Sequence, residues 1–358
     1  LLCRGETKGV FQLESAGIRK LLVSMRPDNI RDIIAVLALY RPGPIEGGMI
    51  DEYVDVKHGR KEATYLHPVL EEVLKETNGV MVYQEQIMRI LNKLGRIPLS
   101  SSYTCIKAIS KKKHDKIAKF NADFIKGAQE NGLTEEKAQE LFELIKKFAG
   151  YGFNKSHSTA YANVAYTTAY LKAHYPAEFM AALLCGDISG RNFTKRDKTV
   201  EHIYDCKRMG IEVVPPCVNT CGAKYKVKDG KIYFGLTAIK SCGDDAIAEI
   251  ERAREEGGPF KNLFDFYNRV STRRVSRSTV ESLIKCGAFD CFGAKRAQLM
   301  LALDKALKSG QQAALDRERG QLSLFGTEEL DQGTEAAAQA LPDVEEWSEK
   351  ERAAYELE

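Results

Sequence analysis

The sequence predicts a mainly α fold, in which a large helical region is followed by a short β-hairpin and two paired-helix units. Three observations carry this. Apolar residues recur at helical spacing from Gly17 to Leu184. "KYKVKDGKIYFGL" alternates polar and apolar side chains about Asp229-Gly230, a strong short-range hairpin signal. "LTAIKSCGDDAIAEIERAR" and "TVESLIKCGAFDCFGAKRAQLM" each place a helix, a glycine-bearing turn and another helix in about 20 residues.

Taken in order, Gly17 to Leu39 reads as two helices broken at Pro27, with Asp28 positioned as the cap of the second. "YRPGP" (40–44) is expected to hold extended backbone twice, and Gly47-Gly48 to keep it irregular. Helices follow near 67–76, 84–95, 103–109, 114–131 and 134–148, with Asn131-Gly132 as a stop and Thr134 as a restart. Residues 158–184 are apolar around most of a helical circumference and predict a central helix pair hinged before Pro176. The texture changes at Pro215-Pro216, where a second domain begins. The two paired-helix units after it resemble tandem helix-hairpin-helix motifs, and order is expected to fade from Ser309. The division is thus 1–214, 215–305 and an acidic linker 306–358.

Composition narrows the function. The chain has 358 residues, 44% of them apolar, which is globular. No apolar run approaches the roughly 20 residues of a membrane span, and no charged-then-apolar leader opens the chain, so the expectation is a cytoplasmic protein without membrane contact. Nine cysteines without a CxxC pair suggest reduced thiols. Cys206, Cys217 and Cys221 read as small buried hydrophobes rather than metal ligands. The net charge of +3 hides an asymmetry: from Thr327 onward eleven acidic residues face two basic ones, so the tail carries −9 and residues 1–326 carry +12. A basic body implies a polyanionic partner. The missing initiator Met, with both ends reading as mid-helix, suggests an internal fragment.

Four constellations could carry chemistry. In "YGFNKSHSTAY" (151–161), Ser156 or Ser158 is expected to cap a long helix, holding Asn154, Lys155 and His157 at its N-terminus as a phosphate cradle; a solvated loop is the equal alternative. In "CIKAISKKKHDKIAKF" (105–120), Lys107, Lys111, Lys112, Lys113, Lys116 and Lys119 follow helical steps, giving either a phosphate-attracting face or a solvated one. Arg41, fixed between Tyr40 and Pro42, is placed to bind a phosphate with two parallel bonds or to pair with a carboxylate and hold the turn. Gly243 and Gly287 could aim backbone N–H groups at a duplex, with Arg273, Arg274, Arg277, Lys285, Lys295 and Arg296 around them; a purely structural hairpin is the alternative. No P-loop, metal-ligand set or nucleophile motif is present.

"GVFQLES", "YRPGP", "VYQEQIM", "YGFNKSHSTAYANVAY" and "LKAHYPAEFMAALL" occur in this order, and together they resemble the replicative DNA polymerases of the bacterial DNA polymerase III alpha family. The resemblance runs from residue 1 to about 326 and implies helical fingers, a tandem helix-hairpin-helix domain and a linker. It implies a DNA-directed DNA polymerase whose fingers meet the incoming dNTP through residues 105–113 and 153–157. The catalytic aspartates and their Mg²⁺ would lie upstream, so this chain would supply no catalytic residue and be inactive alone. Primer-template DNA, dNTP, a sliding clamp and other replicase subunits are the implied partners. Gln321, Leu322, Ser323, Leu324 and Phe325 resemble the pentapeptide by which bacterial polymerases dock on that clamp. Three positions depart from the family: Ile106 and Lys107 stand where relatives often carry consecutive arginines, and Ser241 where they often carry Gly. Other readings are a non-catalytic helix-hairpin-helix scaffold and an error-prone polymerase of the same family.

Overall fold

The computed structural model describes residues 1–188, 193–318 and 340–357, and divides into two compact units, Leu1–His174 and Tyr175–Glu358. The first opens with a 3₁₀ turn, Leu2–Arg4, rather than a continuing helix. Ten helices follow: α1 (Ala16–Met25), α2 (Ile30–Leu39), α3 (Pro42–Glu46), α4 (Met49–Lys57), α5 (Pro68–Leu74), α6 (Gln84–Lys93), α7 (Leu99–Ser110), α8 (His114–Glu130), α9 (Glu135–Ala149) and α10 (Lys155–His174). One core joins α1, α2, α4 and α10 through Leu22, Met25, Val36, Leu39 and Tyr53. The other joins α5 to α9 through Ile87, Leu91, Phe124 and Phe142.

Local chemistry explains the departures from the sequence reading. The break at Pro27 is present, but Asn29 rather than Asp28 caps α2, its side-chain oxygen accepting from the N–H groups of Arg31 and Asp32. Asp28 instead pairs with Lys57 at 3.0 Å. In "YRPGP" only Arg41 is extended; Pro42 opens α3, where its missing N–H costs nothing. Helix α10 is not apolar-buried all round. It buries a narrow stripe, Ala162, Ala165 and Ala169, and packs on α2, while Tyr161, Val164, Tyr166, Tyr170 and Leu171 stay 37–50% exposed. Alanines on one face permit close approach, and the bulky residues are left on the others.

The second unit begins earlier than the composition break at 215. Helices α11 (Pro176–Ile188) and α12 (Phe193–Arg208) pack on a small sheet of β1 (Val213–Val214), β2 (Lys226–Lys228) and β3 (Lys231–Tyr233). Its order is β1-β3-β2, with β1 parallel and β2 antiparallel to β3. The expected hairpin pairs Val227 with Ile232, and Asp229 and Gly230 both take positive φ, as its two-residue turn requires. Helices α13 (Asp244–Gly257), α14 (Leu263–Arg269), α15 (Arg277–Lys285) and α16 (Arg296–Glu318) then build a second core around Phe264, Phe266, Leu283 and Phe289.

Helix α16 runs well past Ser309, because Ala302, Leu303 and Ala306 are buried and Gly310 lies against the Tyr267 backbone. Residues 340–357 come back to the same core through Leu341 and Trp347 and end in α17 (Glu349–Leu357). All nine cysteines are free thiols, with Cys206 and Cys221 fully buried. Among the described residues no helix is long and apolar enough to cross a membrane.

Candidate nucleotide and nucleic-acid interface

The "FNKSH" segment is held by backbone pairing before any side chain acts. Phe153 N–H donates to Val82 O at 3.1 Å, and Gln84 N–H donates to Phe153 O at 3.0 Å, fixing the entry to α10 beside the start of α6. The cap of α10 is Asn154, whose side-chain oxygen accepts from His157 N–H at 2.8 Å. Ser158, expected to serve there, is buried and donates to Ile34 O at 2.6 Å.

Two carboxylates already serve the helix N-terminus. Lys155 N–H donates to both oxygens of Glu85, at 3.0 and 3.1 Å, and Lys155 Nζ donates to both oxygens of Glu76, at 2.7 and 2.8 Å. Lys155 is thus not a lone cation, and an incoming phosphate must compete with Glu76. Glu85 sits where the helix dipole and free N–H groups favour negative charge.

Beside this N-terminus runs a row of rings. Phe153 meets His157 edge-on at 5.5 Å, His157 stacks against Tyr161 at 4.2 Å, and Tyr161 meets Phe11 at 5.3 Å. The Arg41 guanidinium lies 4.5 Å from the Phe153 ring centre. Arg41 holds the turn through carbonyls, donating to Ala38 O and Tyr151 O, and makes no ion pair among the described residues. Burial lowers its pKa, so its charge is partly desolvated and uncompensated. Sequence reasoning missed Phe11, Tyr161, Glu76 and Glu85. The i, i+4 spacing of Phe153, His157 and Tyr161 was the available signal for the ring row.

The lysine run divides at the end of α7. Lys107 lies over the Tyr103 ring at 4.4 Å, whereas Lys111, Lys112 and Lys113 are exposed between α7 and α8 and make no ion pair among the described residues. Ile106 is core, 2% exposed. The departure at 106 therefore leaves the basic surface to its neighbours.

The two hairpins differ. At the first, Gly243 precedes α13 with ordinary φ, and a Cβ placed there would meet nothing within 4 Å, so the backbone is open to a partner. Asp244 and Asp245 occupy the following turn and oppose an anion there. At the second, the expected DNA contacts are engaged within the chain. Gly287 has φ 82° and packs against Arg296. Arg296 bonds both oxygens of Asp290, at 2.9 and 2.7 Å, and reaches Glu356 at 2.7 Å; the Asp290 carboxylate raises the guanidinium pKa above its ordinary value. Lys295 Nζ donates to Val344 O at 3.0 Å, and Glu346 accepts from the first two N–H groups of α16. Arg277 pairs with Glu281 and Asp304, and Arg274 lies 3.7 Å from Glu249. Arg273 is also engaged. Gln321, Leu322, Ser323, Leu324 and Phe325 lie outside the described residues.

Comparison with known proteins bears on both parts of the chain. Residues 1–132 match the model of the bacterial DNA polymerase III alpha subunit finger domain, and residues 210–299 match a helix-hairpin-helix motif. The DNA polymerase III subunit alpha of Pasteurella multocida is 44% identical over 98% of this chain, and that of Escherichia coli K12 is 42% identical over the same share. The chain belongs to the family of the bacterial DNA polymerase III alpha subunit. It spans about 30% of the length of these relatives. In the terms of that family, the row from Arg41 to Phe11 and the Lys155 carboxylate pairs lie in or beside the finger region, and Gly243 and the segment 340–357 lie in or beside the helix-hairpin-helix region.

Proposed function

We propose that this chain provides the dNTP-binding and duplex-gripping part of a DNA-directed DNA polymerase. The observation that carries the reading is the conjunction of uncompensated Arg41 with the Phe153, His157 and Tyr161 rings at the N-terminus of α10. The Arg41 cation suits a phosphate, and ring faces suit a base or sugar. Lys107, Lys111 and Lys112 add exposed positive charge to the same unit, and Gly243 offers open backbone to duplex phosphates. Among the described residues no group of three His, Cys, Asp or Glu side chains is arranged to hold a metal ion. By the family resemblance alone, the Mg²⁺ of nucleotidyl transfer and its aspartates are assigned to residues beyond this chain, which alone would be inactive. Residues 321–325 dock on the sliding clamp, and the enzyme works in the cytoplasm with other replicase subunits.

The test uses the whole enzyme. Replacing His157 or Tyr161 by Ala should raise the dNTP concentration needed for half-maximal primer extension while leaving primer-template affinity unchanged. An unchanged dNTP dependence in both variants removes this assignment. Replacing Leu324 and Phe325 by Ala should abolish clamp binding and leave clamp-free extension intact.

A further inference from the structure

A second basic site lies apart from the ring row, in the cleft between α7 and α8. It has a volume of about 560 Å³, and one face of α8 supplies its wall: Lys116, Lys119, Phe120, Asp123 and Lys126 recur there at helical spacing. Arg96 and Glu130 complete the polar lining and pair with each other at 2.8 Å. That pair neutralises itself. The three lysines are exposed and make no ion pair or side-chain hydrogen bond among the described residues, so they face Asp123 as the one uncompensated carboxylate. Other lysines of this unit, Lys57, Lys61, Lys93, Lys146 and Lys155 among them, pair with carboxylates.

From this arrangement we infer that the α7–α8 cleft binds single-stranded nucleic acid. Lys116 to Lys126 spans about 15 Å along the helix, enough to run beside more than one backbone phosphate. Phe120, half-buried in the same wall between Lys119 and Lys126, offers a ring on which a base can stack. A basic groove with an aromatic platform is how single strands are held without sequence preference. A duplex is too wide for a cleft of this volume, and a free polyphosphate has no use for the ring. The inference rests on the polymerase reading only in explaining why a single strand would be present.

The experiment is titration of a labelled oligo(dT) with the full chain, followed by fluorescence anisotropy at several salt concentrations. Lys116→Gln/Lys119→Gln/Lys126→Gln should weaken binding about tenfold or more and reduce the slope of log affinity against log salt by about 2. These positions are exposed, so circular dichroism should show the fold intact. Phe120→Leu should weaken binding about fivefold or more through lost stacking. A control triple, Lys20→Gln/Lys137→Gln/Lys147→Gln, removes equal charge outside the cleft and should cost much less. Equal losses in the two triples would mean a diffuse field and overturn the site. Displacement of the oligonucleotide by inorganic tripolyphosphate as readily as by unlabelled oligo(dT) would also overturn it. The assay needs neither nucleotide nor catalysis, so its failure leaves the dNTP reading standing.

Discussion

Lys155 at the start of α10 and Glu76 just after α5, 79 residues apart, form a two-oxygen ion pair at 2.7 and 2.8 Å with each side chain about one-third exposed. The pair holds the cation of "FNKSH" in place and also competes with any anion that comes to it. Glu76→Gln should free Lys155 and improve apparent dNTP affinity of the whole enzyme by about 1.4-fold to fivefold, the scale of an exposed pair of about 0.2–1 kcal/mol. Lys155→Ala should weaken it in either background. If Glu76→Gln leaves steady-state dNTP dependence unchanged, the two do not compete.

Gly127 on α8 packs directly on the backbone after α6, so that a Cβ there would stand 2.2 Å from Gly95 O. Backbone cannot rotate away as a side chain can. Gly127→Ala should destabilise the first unit by about 1–3 kcal/mol, the usual cost of overpacking. Urea unfolding checks this, and a midpoint equal to that of the parent would show that α8 shifts without cost.

Ser241 adopts φ 62° at the first hairpin, a left-handed conformation that a Cβ disfavours and Gly tolerates. Its carbonyl accepts from the Thr279 hydroxyl at 2.9 Å, which anchors the turn to α15. Ser241→Gly should keep that bond and stabilise the second unit by up to about 1 kcal/mol, with the loss of chain entropy offsetting part of the gain. Calorimetry decides, and a lowered melting temperature would contradict the strain argument.

Glu346 caps α16 from 50 residues away, accepting from Arg296 N–H at 2.9 Å and Ala297 N–H at 3.1 Å. Burial pushes its carboxyl upward, but the N–H groups of Ala297, Trp347 and Arg296 outweigh this and hold its pKa below the ordinary 4.5. A lowered folded pKa means the stabilisation is complete above the ordinary value and fades as pH falls through the lowered one. Glu346→Ala should cost about 1 kcal/mol at neutral pH, as loss of a cap does, and less in acid. A pH-independent difference between the two proteins would reject the carboxylate's role.

What the sequence determined alone is whatever a few neighbouring residues decide. Asp229-Gly230 set the hairpin because its turn needs two positive φ values, and the break at Pro27 followed from a missing N–H. Helices α5 to α9 were legible from apolar spacing, and "YGFNKSHSTAY" marked the family through its residues. Neighbouring caps were harder: Asn29 and Asn154, not Asp28 and the serines, take the capping positions, because side-chain reach and not residue type selects among adjacent polar groups.

Only the tertiary structure decided which charges are free. Lys155 reads as a lone cation until the fold brings Glu76 and Glu85 to it, and Lys295 and Arg296 read as DNA contacts until residues 340–357 return to cover α16. Conversely, Lys116, Lys119 and Lys126 become a site only when the close approach of Gly127 to Gly95 sets α8 beside Arg96 and Phe120 lines the resulting cleft. Local sequence carries no signal for partners 50 to 79 residues away, since pairing across that separation depends on how whole helices pack and not on the residues beside each charge.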